Sequence, residues 1–175
     1  MFILINGGCK NGKSAIAEKI ICSGNSERLY IATMQPFGKE AEIAIKRHRE
    51  MRSGRNFNTI EKYTDVGEIV LPGKSSVLLE CIGNLCANEM FSAGCSAPDE
   101  KILLDITKLI AGTELFVAVT SQVGSDGIIY PAETMEYMRS LGRLNAALAH
   151  TADIVIEAVF GIPVILKGEL PECLY

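Results

Sequence analysis

Residues 7–14 read Gly7-Gly8-Cys9-Lys10-Asn11-Gly12-Lys13-Ser14. Before them stands Phe2-Ile3-Leu4-Ile5, an apolar run of strand length, and after them Ala15-Ile16-Ala17-Glu18-Lys19-Ile20 reads as helix. A strand, a glycine-rich turn and a helix, with G-x-x-x-x-G-K-S across the turn, make a phosphate-binding loop, or P-loop. The glycines let consecutive backbone N–H groups point inward at phosphate oxygens, and the helix start adds its positive dipole end. Lys13 brings a mobile charge to the outer phosphates, and Ser14 offers a hydroxyl to Mg²⁺. Gly7, Gly8, Cys9, Lys10, Asn11, Gly12, Lys13 and Ser14 are therefore expected to hold a nucleoside triphosphate, with Lys13 acting on the reacting phosphates.

Along the rest of the chain, apolar runs alternate with stretches of helical period, a pattern that predicts an α/β protein with a mainly parallel sheet. Strands are expected at Phe2–Ile5, Leu29–Ala32, Val77–Leu79, Leu115–Val119, Ile154–Val159 and Val164–Leu166, rich in Val, Ile and Leu without alternation, as in strands covered on both faces. Helices are expected at about Gly12–Ser23, Gly38–Ser53, Gly83–Phe91, Pro98–Ala111 and Ala132–His150. The short Gly161-Ile162-Pro163 link suits a hairpin, so the last strand should be antiparallel. The expected fold is a three-layer P-loop NTPase of the RecA-like kind, with residues 1–175 forming one catalytic domain.

Composition narrows the function. Of 175 residues, 48% are hydrophobic and 22% charged, the balance of a globular protein. A net charge of −4 argues against general nucleic-acid binding, and the apolar runs are too short to span a bilayer. The six cysteines include no C-x-x-C pair, which argues against a zinc site. With no secretion signal at the start, reduced thiols in the cytoplasm are expected.

A P-loop needs a carboxylate near its metal, typically where an apolar strand ends. Glu80 closes Ser76-Val77-Leu78-Leu79 and is a candidate Mg²⁺ contact with Ser14; a solvated strand end is the plainer alternative. Asp153, before Ile154–Val159, is a weaker candidate. On the second helix, Ala41, Ala44, Ile45 and His48 share one face, with Arg49 and Arg52 beside the histidine. That spacing fits a core-edge histidine on an otherwise solvated helix. It also fits a nucleophile, because an imidazole can attack the α-phosphate of a nucleotide while flanking arginines neutralise the phosphoryl oxygens.

Taken in order, these segments resemble one family, the bifunctional adenosylcobinamide kinase / adenosylcobinamide-phosphate guanylyltransferases. The loop stands where the family has G-G-x-R-S-G-K-S. Leu29–Thr33 is similar to its second strand, His48-Arg49-Glu50-Met51-Arg52 to its H-x-x-x-R helix, and Phe57-Asn58-Thr59-Ile60-Glu61 to its W-x-T-x-E segment. Leu78–Cys81 resembles its third strand. Thr120-Ser121-Gln122-Val123-Gly124 with Gly127–Pro131 resembles its T-N-E-V-G-x-G-I-V-P stretch, and Gly142-Arg143-Leu144-Asn145 with Ala152-Asp153 its G-R-x-N-Q…A-D block. Lys10-Asn11 stands for Arg-Ser, Ala44 for a common Arg, Gln122 for Glu and Ala146 for Gln.

The resemblance implies two activities on one fold: ATP or GTP phosphorylates adenosylcobinamide, then GTP guanylylates His48 and the GMP passes to adenosylcobinamide phosphate. It places Ala32, Thr33, Met34, Arg49, Glu50, Met51, Arg52, Glu61 and Glu80 around the guanine nucleotide, and implies a homotrimer whose histidine helix can move. Two other readings stay open: a guanylyltransferase without the kinase step, and a non-catalytic nucleotide-binding module. A generic small-molecule kinase would leave the Arg-flanked His48 without a role.

Overall fold

A computed structural model of the chain describes residues 1–169 and 171–174, and the side chains of these except Glu40, Ala44, Met51 and Leu174. The strands are β1 (Phe2–Asn6), β2 (Arg28–Ala32), β3 (Phe57–Glu61), β4 (Ser75–Glu80), β5 (Thr113–Val119), β6 (Ile154–Val159) and β7 (Ile162–Lys167). They form one sheet in the order β3-β2-β4-β5-β1-β6-β7. Every pairing is parallel except that of β6 with β7, the hairpin expected from the short Gly161 link. The helices are α1 (Lys13–Cys22), α2 (Gly38–Arg52), α3 (Ile82–Ala87), α4 (Pro98–Ala111) and α5 (Ala132–Thr151).

Successive strand residues point to opposite faces, and both faces here are apolar. Phe2, Leu4, Leu29, Ile31, Val77, Leu79, Phe116 and Ala118 pack under α3, α4 and α5. Ile3, Ile5, Tyr30, Leu78, Val117 and Val119 pack under α1 through Ile16, Ala17, Ile20 and Ile21. This is the three-layer architecture that the sequence predicts. The stripe on α5 is core as its spacing predicts, with Leu141, Leu144 and Leu148 fully buried.

Two differences have plain causes. The sequence pattern assigns no strand to Phe57–Glu61, yet β3 lies there, parallel to β2. It is an edge strand, so Asn58, Thr59 and Glu61 face solvent and the apolar signal is lost. The helix expected at Gly83–Phe91 starts at Ile82, because the Cys81 side chain accepts from the Asn84 N–H and caps it. It then widens into a π turn over Asn88–Ser92, where Asn88 turns inward to the carbonyl oxygens of Thr33 and Tyr63. Among the described residues no helix is long and apolar enough to cross a membrane.

Strand register aligns the functional ends of the sheet. Glu61 pairs with Ala32, Ala32 with Glu80, Glu80 with Val119 and Val119 with Ile5. One row across the sheet thus brings the carboxyl ends of five parallel strands level. In open α/β sheets ligands bind in the crevice beyond such ends.

Candidate active site

The loop between β1 and α1 depends on two glycines. Gly7 has φ +146°, and a Cβ there would lie 2.7 Å from the Ala158 carbonyl oxygen of β6; Gly12 has φ +87°, and a Cβ would come within 2.9 Å of Gly161 Cα. Both positions combine positive φ with close backbone, so glycine alone fits. Lys13 is buried, and its ammonium donates to the carbonyls of Gly7 (2.8 Å) and Gly8 (2.7 Å). Burial lowers its pKa, against the opposing effect of nearby Cys81, Cys9 and Glu80.

Glu80 ends β4 buried to 9% exposure and is divided between two groups of partners. Its Oε1 accepts from the Ser14 hydroxyl at the start of α1. Its Oε2 accepts from the Tyr30 hydroxyl of β2 at 3.0 Å and lies 3.3 Å from His48 Nδ1 on α2. His48 Nδ1 meets this oxygen in close contact without an aligned hydrogen bond. Burial pushes the Glu80 carboxyl up, but His48, Ser14 and Tyr30 together outweigh it and hold the group below the usual carboxylate range.

α2 is seated over this carboxylate by two arginines. The Arg52 guanidinium lies 3.4 Å from the centre of the Tyr30 ring, a cation–π contact, and Arg52 is buried with one terminal nitrogen unpaired. Just past the helix, Arg55 pairs at 2.6 Å with fully buried Glu18, one turn along α1 from Ser14. Arg49 reaches the other way, to Glu61 of β3 at 2.6 Å.

Lys13, Ser14, Tyr30, His48, Arg49, Arg52, Glu61 and Glu80 line one cleft of about 1160 Å³, walled by the loop from Cys9 to Ser14, by α2 and by the ends of β2, β4 and β5. Of the residues singled out from sequence, Cys9, Lys10, Asn11, Gly12, Lys13, Ser14, Ala32, Met34, His48, Arg49, Arg52, Glu61 and Glu80 border it. Gly7 and Gly8 lie behind it, shaping the loop. Thr33 does not border it: fully buried, its hydroxyl donates to the Cys81 carbonyl at 2.9 Å and accepts from the Cys81 N–H at 2.8 Å, tying β2 to the turn after β4. Glu50 is also off the cleft, exposed and paired with Lys46. The Met51 side chain lies outside those described. Asp153 is at the far end of the sheet, accepting from the Phe2 N–H at 2.7 Å, so its role is to fix the start of β1.

Tyr30, Tyr63, Asn84 and Ser121 also border the cleft, and sequence reasoning missed them as site residues. Only for Tyr30 was a signal available: a phenol in an otherwise aliphatic buried strand needs a buried acceptor. Among the described residues no group of three or more His, Cys, Asp and Glu could hold a metal by itself. The adjoining Ser14 and Glu80 oxygens instead suit Mg²⁺, a hard cation that takes one or two protein oxygens and completes its shell with substrate phosphates.

Comparison with known proteins bears on this site. The family described as "Cobinamide kinase / cobinamide phosphate guanyltransferase" matches residues 3–166. The bifunctional adenosylcobalamin biosynthesis protein CobU of Escherichia coli (strain K12) is 34% identical, covering 95% of this chain and all of that protein. The CobU of Salmonella typhimurium is 32% identical with the same coverage. The corresponding CobP of Pseudomonas aeruginosa is 25% identical over 95% of this chain and 97% of its own. Among solved structures, a type III secretion system ATPase of pathogenic bacteria superposes with a TM-score of 0.48 at 15% identity, over 99% of this chain and 60% of that one.

Proposed function

The chain belongs to the cobinamide kinase / cobinamide phosphate guanyltransferase family, and from that premise we propose that it phosphorylates adenosylcobinamide and then guanylylates the phosphate through a covalent intermediate on His48. The observation that carries this reading is Glu80, whose one carboxylate touches both the P-loop serine and the histidine. The P-loop and His48 thus border one cleft, which supports both steps in one site.

In the kinase step the loop N–H groups and Lys13 hold the triphosphate; the substrate hydroxyl oxygen bonds to the γ-phosphorus as the bond from that phosphorus to the β–γ bridging oxygen breaks, the nucleoside diphosphate leaves and the hydroxyl proton passes to solvent. Ser14 and Glu80 would hold Mg²⁺, which supplies charge neutralisation on the phosphates when bound. In the transferase step His48 Nδ1 faces Glu80, which leaves Nε2 as the nitrogen to react. Its lone pair attacks the α-phosphorus of GTP, the bond from that phosphorus to the α–β bridging oxygen breaks, and pyrophosphate leaves. The positive charge left on the imidazole faces Glu80, and Arg49 and Arg52 lie where they can balance the phosphoryl oxygens. The oxygen of adenosylcobinamide phosphate then displaces His48 from the GMP phosphorus, giving adenosylcobinamide-GDP and free imidazole.

The test is radiolabel retention after denaturation. α-Labelled GTP is expected to leave one label per chain, lost in mild acid and stable in alkali as a phosphoramidate requires, while γ-labelled GTP leaves none. Label from the γ position, or none from the α, overturns the reading.

We also propose that the enzyme is a cytoplasmic homotrimer. Its six cysteines are free, as in a reducing compartment. Strand β7 closes one edge of the sheet with Ile162, Val164 and Leu166 exposed in an alternating row, beside exposed Phe160. An apolar edge is ordinarily covered, and a closed ring of copies does so. Light scattering is expected to give three times the 18.9 kDa chain mass; a monomer at micromolar concentration overturns the assembly.

A further inference from the structure

We propose that Tyr30 is a positioning residue for the guanylylation step: its buried hydroxyl fixes the Glu80 carboxylate so that one oxygen faces Ser14 while the other steadies His48. The proposal rests on His48 as nucleophile, and adds to that reading the group that aims it.

Tyr30 is only 3% exposed, at the middle of β2 on the sheet face that carries Leu78 and packs under α1. For packing alone a phenylalanine would serve, since the ring already meets Phe57 edge to face at 6.3 Å and carries Arg52 on its face at 3.4 Å. The hydroxyl is the part that packing does not explain. Buried hydroxyls need partners, and this one donates at 3.0 Å to Glu80 Oε2, the oxygen that stands 3.3 Å from His48 Nδ1. A carboxylate held only at Oε1 by Ser14 could turn about its terminal torsion, which is broad for glutamate. The hydrogen bond from Tyr30 removes that freedom on the histidine side. One ring thereby governs both ends of the charge arrangement: its face seats Arg52, and its hydroxyl aims Glu80.

The two parts separate by mutation. Tyr30→Phe keeps the ring, and with it the seat of Arg52; the Arg55–Glu18 pair also still anchors the end of α2. Tyr30→Leu removes both. Single-turnover incorporation of α-labelled GTP, with GTP varied, gives a rate constant and a half-saturating concentration for each. In Tyr30→Phe the rate constant is expected to fall by roughly 10- to 100-fold, the loss of one hydrogen bond to a charged group, with half-saturation shifted less than about threefold. Its phosphorylation of adenosylcobinamide should fall at least tenfold less than its labelling. In Tyr30→Leu half-saturation should rise as well, because Arg52 loses its platform. Full-rate labelling by Tyr30→Phe overturns the proposal, as does an equal fall in both activities with raised half-saturation, the mark of a general structural role. If the unsubstituted chain takes up no α-label, His48 is not the nucleophile and this inference falls with it; full-rate labelling by Tyr30→Phe sinks the Tyr30 role alone.

Discussion

His48→Asn is expected to abolish uptake of label from α-labelled GTP, and guanylyl transfer with it, by a factor of about a thousand or more, since the nitrogen that forms the covalent bond is gone. Asparagine keeps a polar group near Glu80 but offers no nucleophilic nitrogen. Phosphorylation of adenosylcobinamide should persist, because Lys13 is held by the Gly7 and Gly8 carbonyls and the loop glycines rest against Ala158 and Gly161. His150 supplies the control. It lies exposed in the last turn of α5, where its carbonyl accepts from Lys167, far from the cleft in the chain and absent from its walls. His150→Asn should label normally. Uptake by His48→Asn at the unsubstituted rate would mean that the label sits elsewhere and the mechanism is wrong.

Lys13→Ala should depress both reactions together. The ammonium is buried within the loop and held by the loop's own carbonyls, so it meets phosphate as a partly desolvated charge, whose attraction is little weakened by water. Losing such a contact in a transition state costs several kcal/mol, or on the order of a hundredfold and more in rate. Steady-state assays of kinase and transferase turnover decide it, with thermal melting to show that the variant still folds. Turnover equal to that of the unsubstituted chain would remove the loop from the chemistry.

Most of the architecture was legible because its signals are local. The apolar strands without alternation, the Gly-Lys-Ser turn and the single short hairpin each state their structure within a few residues. β3 was not legible as a strand, since an edge strand at the surface has no apolar alternation to show. The site was legible where a motif carries it, as with Lys13 and Ser14, and where helical spacing joins neighbours, as with His48 and Arg52. Glu80 was placed by its position at a strand end, yet nothing in its surroundings in sequence tells that its partners are Ser14, Tyr30 and His48. Those contacts come from strand register and from the seating of α2. Thr33 and Glu50 show the reverse: each adjoins residues that border the cleft, but β2 turns the first inward to Cys81 and α2 turns the second out to solvent.

The position of β1 in the sheet has a consequence for biosynthesis. β1 lies between β5 and β6, so Phe2 pairs with Phe116 of β5, and Ile3 with Val117 of β5 on one side and Ile154 of β6 on the other. At translation speeds of about 5–20 residues per second, the strand that presents the P-loop leaves the ribosome on the order of ten seconds before either flanking strand exists. During that interval Phe2-Ile3-Leu4-Ile5 is an apolar segment with no sheet to join, open to capture by chaperones or by a second nascent chain. Nucleotide cannot protect the chain at this stage either, because Gly7 and Gly12 take their shape against Ala158 and Gly161 of the β6–β7 hairpin. The phosphate loop is thus made well before the strands that complete it and is among the last pieces to become competent, and a chain released before the hairpin emerges would carry the motif without its function.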